Sequence, residues 1–538
     1  MPRILGALPL IFLWGAPLFL GLFYALMPLG NATAWAALFA HPQLWPGLGL
    51  SLWIGSAALV LSALLAFWIV AGLHDTPVWR HMSGAAGSLL ALPHLAFAIG
   101  FGFLIMPSGF IARVAAQLFA WDSPPHWVST QDPWGLALIA ALALKEIPFL
   151  VWTIWTVMAR GGMAQVFDGQ IRSAQSLGHG MGSIWLRILV PQIGASIVWP
   201  LAIVWIYGAS VVDMAIAIGP TQPPPLALVV WRDLNDADAS INGRGAAGAL
   251  FLSLAMAFTG VCGYLSAYAA FGSFRRWLSR GPSPRRLKVL WPRLALGLIV
   301  AVYLATLATL ITISISTRWP FPLLAPEALS VKFWGALVTA PSPLIASLML
   351  AISVSISSLV IAILWLESTP ARFDRMVVAA AVLAIAAPAL LIASGQYAGF
   401  LRLGITGTWT GLFLAHLTPA FAYGMIVLKG PYRDFDGRYR SIAHGLNASG
   451  LRFWIAIKAP ILKPALIGAF SVAFAVAIAQ FVTAQLIASG HFTTLPMEAV
   501  TLASGGNRPL TAVYALALTL PPALVFLLGA IYGRPRWS

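Results

Sequence analysis

Long apolar stretches alternate with short polar segments along the whole chain. Each stretch has about 20 residues or more, the length that an α-helix needs to cross the hydrocarbon layer of a membrane. The strands of a membrane barrel would have nearer 10 residues, with alternating polarity. The pattern therefore predicts about twelve transmembrane helices. They lie at residues 8–26, 47–73, 84–107, 134–158, 188–218, 245–272, 294–315, 342–366, 376–397, 410–429, 460–488 and 509–532.

The composition agrees with a protein whose solvent is the bilayer. Of the 538 residues, 60% are apolar and only 9% are charged, and the mean hydropathy is +0.88. So few charges could not cover the surface of a soluble chain of this length. Cys262 is the single cysteine, which excludes an intrachain disulfide. We therefore expect an all-α membrane protein with lipid around it.

The net charge of +16 makes nucleic-acid binding an alternative that the placement of the charges must decide. If the N-terminus is cytoplasmic, 23 of the 31 Lys and Arg residues fall in segments on the cytoplasmic side, and seven fall outside. This asymmetry is the positive-inside pattern of membrane proteins. It predicts a multi-pass membrane protein with both termini in the cytoplasm and no nucleic-acid partner.

An internal repeat divides the chain into two parts. Four residues after the fourth predicted span recur 269 positions later, and a fifth position has Gly in one copy and Asn in the other. The pairs are Ala174 with Ala443, Leu177 with Leu446, Gly178 with Asn447, Trp185 with Trp454, and Pro191 with Pro460. Each part holds six spans, and an even number gives both parts the same orientation, related by an axis along the membrane normal. We expect halves at residues 1–272 and 294–538, joined by a basic cytoplasmic linker at 273–293.

The repeated segments lie in loops that we call the first coupling loop (residues 159–191) and the second coupling loop (residues 430–460). In each loop, Asp168 or Asp436 precedes a short segment whose Ala and Leu, three residues apart, would share one helix face. The Asp can cap that helix, and Gly178 or Asn447 can end it in a conformation that most residues avoid. A Trp and a basic residue before the proline, Arg187 or Lys458, are typical of membrane-interface anchors. The loops predict short amphipathic helices that a partner protein could push.

These loops resemble the E-A-A-x-x-x-G segment, followed thirteen residues later by Pro, of binding-protein-dependent ABC importer permeases. Residues 172–178 read RSAQSLG before Pro191, and residues 441–447 read SIAHGLN before Pro460. The spacing matches in both copies, but the Glu is replaced by Arg172 and Ser441, and the second Gly is Asn447. Segments such as AIAIGPT at 215–221 and SGGNR at 504–508 are similar to those of fused ferric-iron and thiamine permeases, and the chain as a whole most resembles the Ynj-type permeases.

The resemblance implies a type I (MetI-like) importer permease fold with two ATPase-coupling loops, located in the bacterial inner (plasma) membrane. Two copies of a separate P-loop ATPase carrying ATP-Mg would dock, one on each loop, and a periplasmic or extracellular binding protein would deliver substrate. The implied coupling positions are Arg172, Ala174, Leu177, Gly178, Ser441, Ala443, Leu446 and Asn447.

The chain itself lacks the sequence signature of an ATPase. A phosphate-binding loop ends in Lys-Ser or Lys-Thr, and none of the six lysines is followed by Ser or Thr. The nine histidines show no ligand spacing of the i, i+3 or i, i+4 kind. We therefore expect no enzyme activity and no cofactor or metal bound by this chain.

Two charged residues, Lys145 and Glu146, lie near the middle of the fourth predicted span. A charge at that depth costs about 2.5 to 3.5 kcal/mol, so both side chains should face protein or water. They could gate a substrate path, or they could lock neighbouring helices together. Alignment on Pro148 and Pro419 places His416 at the position of Lys145 in the second half.

Further polar residues lie near the outward ends of the fifth and eleventh spans. Asp213, Gln480 and Gln485 could guide a cationic or polar substrate, or they could be solvated helix ends. Acidic residues on the outer loops could meet a binding protein or could be hydrated surface. They are Asp233, Asp236, Asp238 and Glu498.

A secondary, ion-coupled transporter of small solutes is the main alternative, because two parallel six-span halves also describe the major facilitator plan. That plan has its signature loop between the second and third spans, whereas the longest repeated loops here follow the fourth and tenth. A membrane enzyme would require carboxylates or His and Cys converging at one face. The residue pattern leaves the cargo open among thiamine-like cations, ferric iron, polyamines and other small solutes.

Overall fold

The computed structural model describes residues 8–74, 76–79, 89, 91–159, 163–278, 291–447 and 449–533. Helices make up most of these residues, and within the described ranges the strands form one short antiparallel hairpin, β1 (Ser316–Arg318) and β2 (Ala328–Leu329). The predicted all-α class is confirmed.

Thirteen helices precede the predicted linker in the described residues. They are α1 (Leu8–Ala25), α2 (Ala32–Phe39), α3 (Leu44–Leu73), α4 (His94–Ile105), α5 (Phe110–Phe119), α6 (Leu136–Ala159), α7 (Met163–Ser176), α8 (Met181–Ile184), α9 (Val190–Ser196), α10 (Val198–Ser210), α11 (Asp213–Ile218), α12 (Leu226–Leu234) and α13 (Ala239–Leu278). Helix α13 continues six residues past the predicted end of the sixth span, while residues 279–290 of the predicted linker lie outside the described residues.

Thirteen more helices follow. They are α14 (Pro292–Ile315), α15 (Ala336–Thr339), α16 (Ser342–Ser368), α17 (Asp374–Ala386), α18 (Ala389–Arg402), α19 (Trp409–Arg433), α20 (Arg438–Gly445), α21 (Gly450–Phe453), α22 (Ala459–Ile461), α23 (Lys463–Ala479), α24 (Val482–Ala488), α25 (Leu495–Ala503) and α26 (Arg508–Tyr532). Short 3-10 turns lie at Met27–Gly30, Lys332–Gly335 and Ala371–Phe373, and π-helical turns at Trp185–Leu189 and Trp454–Lys458.

Nine helices in the described part of the chain are long and apolar enough to cross a membrane, or up to twelve if each of three bent pairs is one span. The three bent pairs correspond to the predicted fifth, ninth and eleventh spans. These spans bend by 70°, 102° and 78° between their two helices. Hydropathy follows side-chain polarity and does not register a break in backbone hydrogen bonding, such as the one before Pro388, which has no N–H to donate. The last predicted turns form separate short helices, so Asp213 and Gln485 lie in α11 and α24.

The order of elements after α3 recurs after α16, so we divide the helices into a first set, α1–α13, and a second set, α14–α26. In each set a long helix leads into a coupling loop with a short helix and a π-helical turn, and then into a bent span and two further short helices. A π-helical turn is rare, so its presence in both copies, directly before Pro191 and Pro460, strengthens the internal repeat.

The first helix of each set packs against the other set. Helix α1 lies along α18 and α19, where the Trp14 indole donates a 2.9 Å hydrogen bond to the Thr418 carbonyl. Helix α14 lies along α3 and α4, and its Tyr303 hydroxyl donates to the Leu144 carbonyl of α6 at 3.1 Å. The two exchanged helices tie the sets of helices into one body.

The repeated glycines of α4 and α18 lie at these crossings. A Cβ on Gly395 would overlap the carbonyl oxygen of Gly21 in α1, and a Cβ on Gly100 would lie 2.8 Å from Thr306 and Leu310 in α14. Small residues let helix backbones approach closely inside a membrane. The interval from Pro93 to Gly100, which recurs from Pro388, therefore reflects a packing requirement.

Candidate functional sites: two coupling loops and an intramembrane polar cluster

The first coupling loop presents an amphipathic helix, α7. Its Phe167, Ile171 and Ala174 side chains are buried, whereas Leu177 is 75% exposed. Arg172 is exposed as well, and Gly178 ends the segment at a φ of +86°. Apolar residues three and four positions apart fix one face of α7 on the protein and leave Leu177 projecting from the loop.

The second coupling loop repeats this arrangement. Ala443 of α20 is buried, Leu446 is 78% exposed, and Ser441 is exposed. Asn447 has a φ of +54°, so the predicted left-handed residue is present after both helices. The two loops therefore display equivalent leucines at nearly equal exposure.

The predicted aspartate caps differ between the loops. Asp436 accepts a 2.9 Å hydrogen bond from the Arg438 backbone N–H at the start of α20, and the side-chain hydrogen bond from Arg438 lowers the pKa of the Asp436 carboxyl. Asp168 is not a cap, because α7 begins at Met163 and carries Asp168 in its interior. The residues upstream, Met163 to Val166, are compatible with a helix, so this helix begins earlier than its counterpart.

A carboxylate from outside the motif anchors the second coupling loop. Glu367, at the end of α16, lies 2.6 Å from Lys458 Nζ and 3.0 Å from Arg440 Nη2. The Tyr432 hydroxyl donates to Glu367 at 2.7 Å and accepts from the Trp454 indole at 2.9 Å. Burial of Lys458 in this network makes the predicted interface anchor a structural cation.

The first coupling loop has different residues at the equivalent place. Aligning Thr76-Pro77 with Thr369-Pro370 puts His74 at the position of Glu367. The His74 ring contacts the rings of Trp79 and Trp185 at centroid distances of 5.4 and 5.9 Å. Trp185 is buried, so it is not an interface anchor either. The described contacts at this place thus include ion pairs in the second loop and ring contacts in the first.

Lys145 is buried in α6 and directed at the backbone before α4. Its Nζ donates to the Leu92 carbonyl at 2.7 Å and to the Leu89 carbonyl at 3.3 Å, and it faces the Phe97 and Tyr303 rings. Pro93 has no N–H, so it cannot donate to the Leu89 carbonyl four residues earlier as a helical residue would. The contacts favour the lock interpretation of Lys145 over the gate.

Glu146 points to another group of side chains. Its Oε1 lies 3.2 Å from His94 Nε2, and the His94 ring contacts the Tyr207 ring edge-on at 4.8 Å. Tyr207 is within electrostatic range of Glu146, Asp213 and Tyr423. We call these five residues the polar cluster: His94, Glu146, Tyr207 and Asp213 come from the first set of helices, and Tyr423 from α19 of the second.

The corresponding residues of the second set do not form such a cluster. His416, the counterpart of Lys145, is buried and hydrogen-bonds through Nδ1 to the Leu412 carbonyl of its own helix at 2.9 Å. Gln480 donates to the His416 carbonyl at 3.1 Å, and its Oε1 is buried without a partner. Gln485 lies in α24, partly exposed. Alignment replaces Glu146 by Leu417, so the cluster is asymmetric.

A cavity of about 430 Å³ opens at the end of α6 opposite the first coupling loop. This distal cavity is lined by both sets of helices, including Ile99, Gly102, Ala217, Gly505 and Arg508. Arg508 also donates to Ser108 Oγ at 3.0 Å, which joins the two sets across the cavity. A space between the sets is where a passage through the body could begin.

The acidic residues near this end have different environments. Asp233 is buried and paired with Arg244 at 2.7 Å. The prediction that it belongs to the exposed outer surface is therefore wrong. Asp236 and Asp238 are exposed, and Glu498 is partly exposed. No group of three or more His, Cys, Asp or Glu residues in the described ranges could hold a metal ion.

An all-helical membrane body, two equivalent loop helices and a polar cluster between the sets of helices define a transport protein. No family model matches the chain. The sequence is 30% identical over 520 residues to the inner membrane ABC transporter permease protein YnjC of Escherichia coli strain K12, covering 96% of this chain and 94% of the relative. The chain therefore belongs to the ABC transporter permease family.

Two shorter similarities point the same way. The putrescine transport system permease protein PotI of Escherichia coli is 30% identical over 98 residues, 18% of this chain and 35% of that protein. The spermidine/putrescine transport system permease protein PotC of Haemophilus influenzae is 26% identical over 141 residues, 26% of this chain and 55% of that protein. The predicted permease class, inner-membrane location and role as a translocation subunit rather than an ATPase are confirmed.

Several residues of the candidate sites were not predicted. Tyr207 and Tyr423 are single tyrosines in apolar spans, and Glu367 is a single acid at a span end. A signal existed only for Glu367, because a charge before the repeated Thr-Pro pair is unusual in an otherwise apolar helix. The spacing of the histidines indicates no role for His94, whereas its contact with Glu146 places it in the polar cluster.

Proposed function

We propose that this chain forms both halves of the permease of an importer, with halves at residues 1–272 and 294–538 and a linker at 273–293. Two copies of an ATPase subunit dock on it, one on each coupling loop, and a binding protein delivers substrate at the distal cavity. The observation that carries this proposal is the pair of equivalent leucines, Leu177 and Leu446, exposed at 75% and 78% at the ends of matched helices.

Exposed leucines on polar loops indicate a contact surface. Helix α7 contacts the permease through Phe167, Ile171 and Ala174, and helix α20 through Ala443, whereas the projecting leucines add nothing to the permease's own core. A short helix with one apolar side chain at its end fits into a groove of a partner protein. Burying such a leucine contributes about 1.5–3 kcal/mol to the complex. Packing in a groove does not require the Glu that Arg172 and Ser441 replace.

The distribution of charge supports cytoplasmic coupling loops. The segments on their side carry 23 of the 31 Lys and Arg residues, the bias of cytoplasmic segments. Both chain ends would then lie in the cytoplasm, and the distal cavity would face the periplasm.

The substrate path runs between the two halves, from the distal cavity past Glu146 and Asp213 of the polar cluster. Lys145 and His416 do not line this path, because their side chains are hydrogen-bonded to the backbone carbonyls of Leu92 and Leu412. The relatives PotI and PotC are named for putrescine and spermidine, which are organic cations. An acidic lining agrees with cargo of that charge.

The proposal is tested by removing the leucines singly and together. Leu177→Ser, Leu446→Ser and the double variant are co-expressed with the ATPase subunit and purified through a tag on the permease. Val331→Ser is the matched control, since Val331 is 72% exposed at the opposite end of the molecule. Each single variant is expected to weaken ATPase association by about tenfold or more.

The double variant is expected to lose ATPase association and ATP-dependent uptake, while the control keeps both. Equal association in all four variants would contradict docking on the loops. The alternative, a secondary transporter, predicts uptake into vesicles driven by an ion gradient without ATP. Such uptake by the purified chain would overturn the proposal.

A further inference from the structure

We propose that Arg508, at the mouth of the distal cavity, is the contact point of the binding protein, and that a carboxylate of that protein opens the cavity by drawing Arg508 away from Ser108. This inference rests on the proposed function, since it names the contact through which the binding protein acts on the permease. The hydrogen bond from Arg508 Nη1 to Ser108 Oγ is 3.0 Å long and joins the two sets of helices across the cavity. We call this hydrogen bond the latch.

Ser108 lies on the fixed side of the latch. It belongs to the turn between α4 and α5, and a Cβ on the neighbouring Gly109 would lie 2.5 Å from the Phe103 carbonyl oxygen. The turn is therefore packed tightly against the end of α4. The Ser129 hydroxyl donates to the Ile105 carbonyl of the same helix end at 2.6 Å. These contacts hold the turn in one position.

Arg113 fastens this turn to the second set of helices. Its side chain is buried, and its Nε donates to the Ser108 carbonyl at 3.1 Å. Its terminal nitrogens donate to the Trp319, Pro320 and Leu323 carbonyls, between β1 and β2, at 2.7–2.9 Å. The guanidinium also lies over the Trp319 ring, 4.6 Å from its centroid. Arg113 is thus engaged inside the permease, where a partner protein does not reach it.

Arg508 has a different environment. It is exposed, it forms no ion pair with an acidic residue in the described ranges, and it is the one charged residue among the described residues that line the cavity. It is also the first residue of α26, a helix of 25 residues, whose dipole disfavours a cation at this end. A carboxylate beside Arg508 would be attracted by the guanidinium and by the helix dipole together.

The surface around Arg508 leaves room for a side chain of a partner. Residues 504–507 are exposed, and a Cβ on Gly506 would meet nothing within 4 Å. A carboxylate accepts two parallel hydrogen bonds from a guanidinium, whereas the latch to Ser108 Oγ is one hydrogen bond. A carboxylate of the binding protein therefore competes with Ser108 for Arg508 and opens the cavity as it binds.

The proposed substrate path favours a protein carboxylate over an anionic cargo as the partner of Arg508. Beyond the cavity the path continues past Glu146 and Asp213, and like charges would repel an anion there. A carboxylate that is fixed on the binding protein stays at the mouth of the cavity and does not pass these residues.

The first test measures association of the purified binding protein with the full chain in lipid nanodiscs, at about 50 and about 500 mM NaCl. The variants are Arg508→Gln, the charge-retaining Arg508→Lys, Ser108→Ala, and Arg402→Gln as a matched control at an exposed arginine outside the cavity lining. Arg508→Gln is expected to weaken association at low salt by about tenfold or more and to reduce its salt dependence. Arg508→Lys should retain part of the affinity, and Ser108→Ala and Arg402→Gln all of it.

The second test measures whether the binding protein opens the latch. Spin labels are attached to Phe110→Cys and Thr501→Cys, two exposed positions in α5 and α25, in a Cys262→Ser background, because Cys262 is exposed. Pulsed electron paramagnetic resonance then gives the distance between the labels. Bound binding protein is expected to lengthen it by about 2 Å or more, and Ser108→Ala to lengthen it without the binding protein.

Equal association of Arg508→Gln and Arg402→Gln would overturn the proposal, and so would an unchanged distance when the binding protein is bound. Loss of uptake in Arg508→Gln with normal association would assign Arg508 to the cargo and would also overturn it. If Arg508→Gln does not fold, the distance change in the chain with Arg508 intact decides the outcome.

These results separate the latch from the proposed function. A wild type that binds the binding protein as tightly as Arg508→Gln does refutes the latch and leaves delivery at the cavity intact. A wild type that does not bind the binding protein refutes both. Docking of the ATPase subunit on the coupling loops is decided independently by the leucine variants.

Discussion

The Lys458 ammonium lies 2.6 Å from the Glu367 carboxylate, and this contact joins the second coupling loop to the end of α16. Arg440, in the loop helix itself, reaches the other oxygen of the same carboxylate at 3.0 Å. The motif position that the family fills with Glu is Ser441 here, next to Arg440. Glu367 therefore supplies, from another helix, an acidic group beside the loop position at which the family has Glu.

Glu367→Gln is expected to destabilise the protein by about 2–3 kcal/mol, because it leaves the buried Lys458 without its counter-charge. The measurement is thermal denaturation in detergent, together with the ATPase rate of the assembled complex, which should fall as the loop loosens. Glu327→Gln is the control. It breaks an exposed pair with Arg318 and should cost about 1 kcal/mol or less. Equal losses in the two variants would show that the Glu367 network contributes no more than a surface pair.

Lys145→Met is expected to destabilise the fold without changing what is transported. Methionine fills most of the volume but leaves the Leu92 and Leu89 carbonyls without their donor, which costs about 1–3 kcal/mol. Folded yield and Tm should fall, while the substrate preference of the surviving protein is unchanged. Lys332→Met, at an exposed lysine, should have little effect on either. Altered substrate preference in Lys145→Met would instead indicate a gate.

The class of fold could be predicted from the sequence because side-chain hydropathy and charge asymmetry directly record the membrane. The bends in three of the spans could not be predicted in this way. The stretch from Met181 to Ser210, for example, is apolar on both sides of its break. The exchange of α1 and α14 was also missed. Gly100 and Gly395 follow Pro93 and Pro388 at the same interval, but the residues that they contact, Thr306 and Gly21, lie far away along the chain.

The coupling loops were easier to predict than the path. Gly178 and Asn447 carry a local backbone requirement that spacing alone reveals, and both have positive φ. The polar cluster is a tertiary arrangement, in which His94, Tyr207 and Tyr423 approach Glu146 from three other helices. Single polar residues in apolar spans give no periodic signal, so their convergence cannot be read from the order of residues.

Gly395→Ala is expected to disrupt the packing of α1 against α18. The new Cβ would overlap the Gly21 carbonyl oxygen, and backbone atoms at a helix crossing cannot move aside without separating the helices. A loss of about 2 kcal/mol or more and greater protease sensitivity of α1 should follow. Gly297→Ala in α14, where a Cβ meets nothing within 4 Å, should be neutral or stabilising. Equal behaviour of the two variants would contradict the close crossing.

The first coupling loop contains two glycines at which substitution by alanine should have opposite effects on the stability of α7. Gly178→Ala places a side chain at a φ of +86° and should cost about 1–2 kcal/mol of local stability. Gly169→Ala, nine residues earlier in α7 and with no neighbour within 4 Å of its Cβ, should stabilise that helix by about 0.5–1 kcal/mol. Asn447→Gly should be tolerated, because glycine adopts positive φ without strain. Amide hydrogen exchange in residues 163–178 measures the first two effects. Association with the ATPase subunit should weaken only in Gly178→Ala, since only that change alters the end of the helix that presents Leu177. A loop that tolerates Gly178→Ala as well as Gly169→Ala would show that the left-handed residue is not needed to position the leucine.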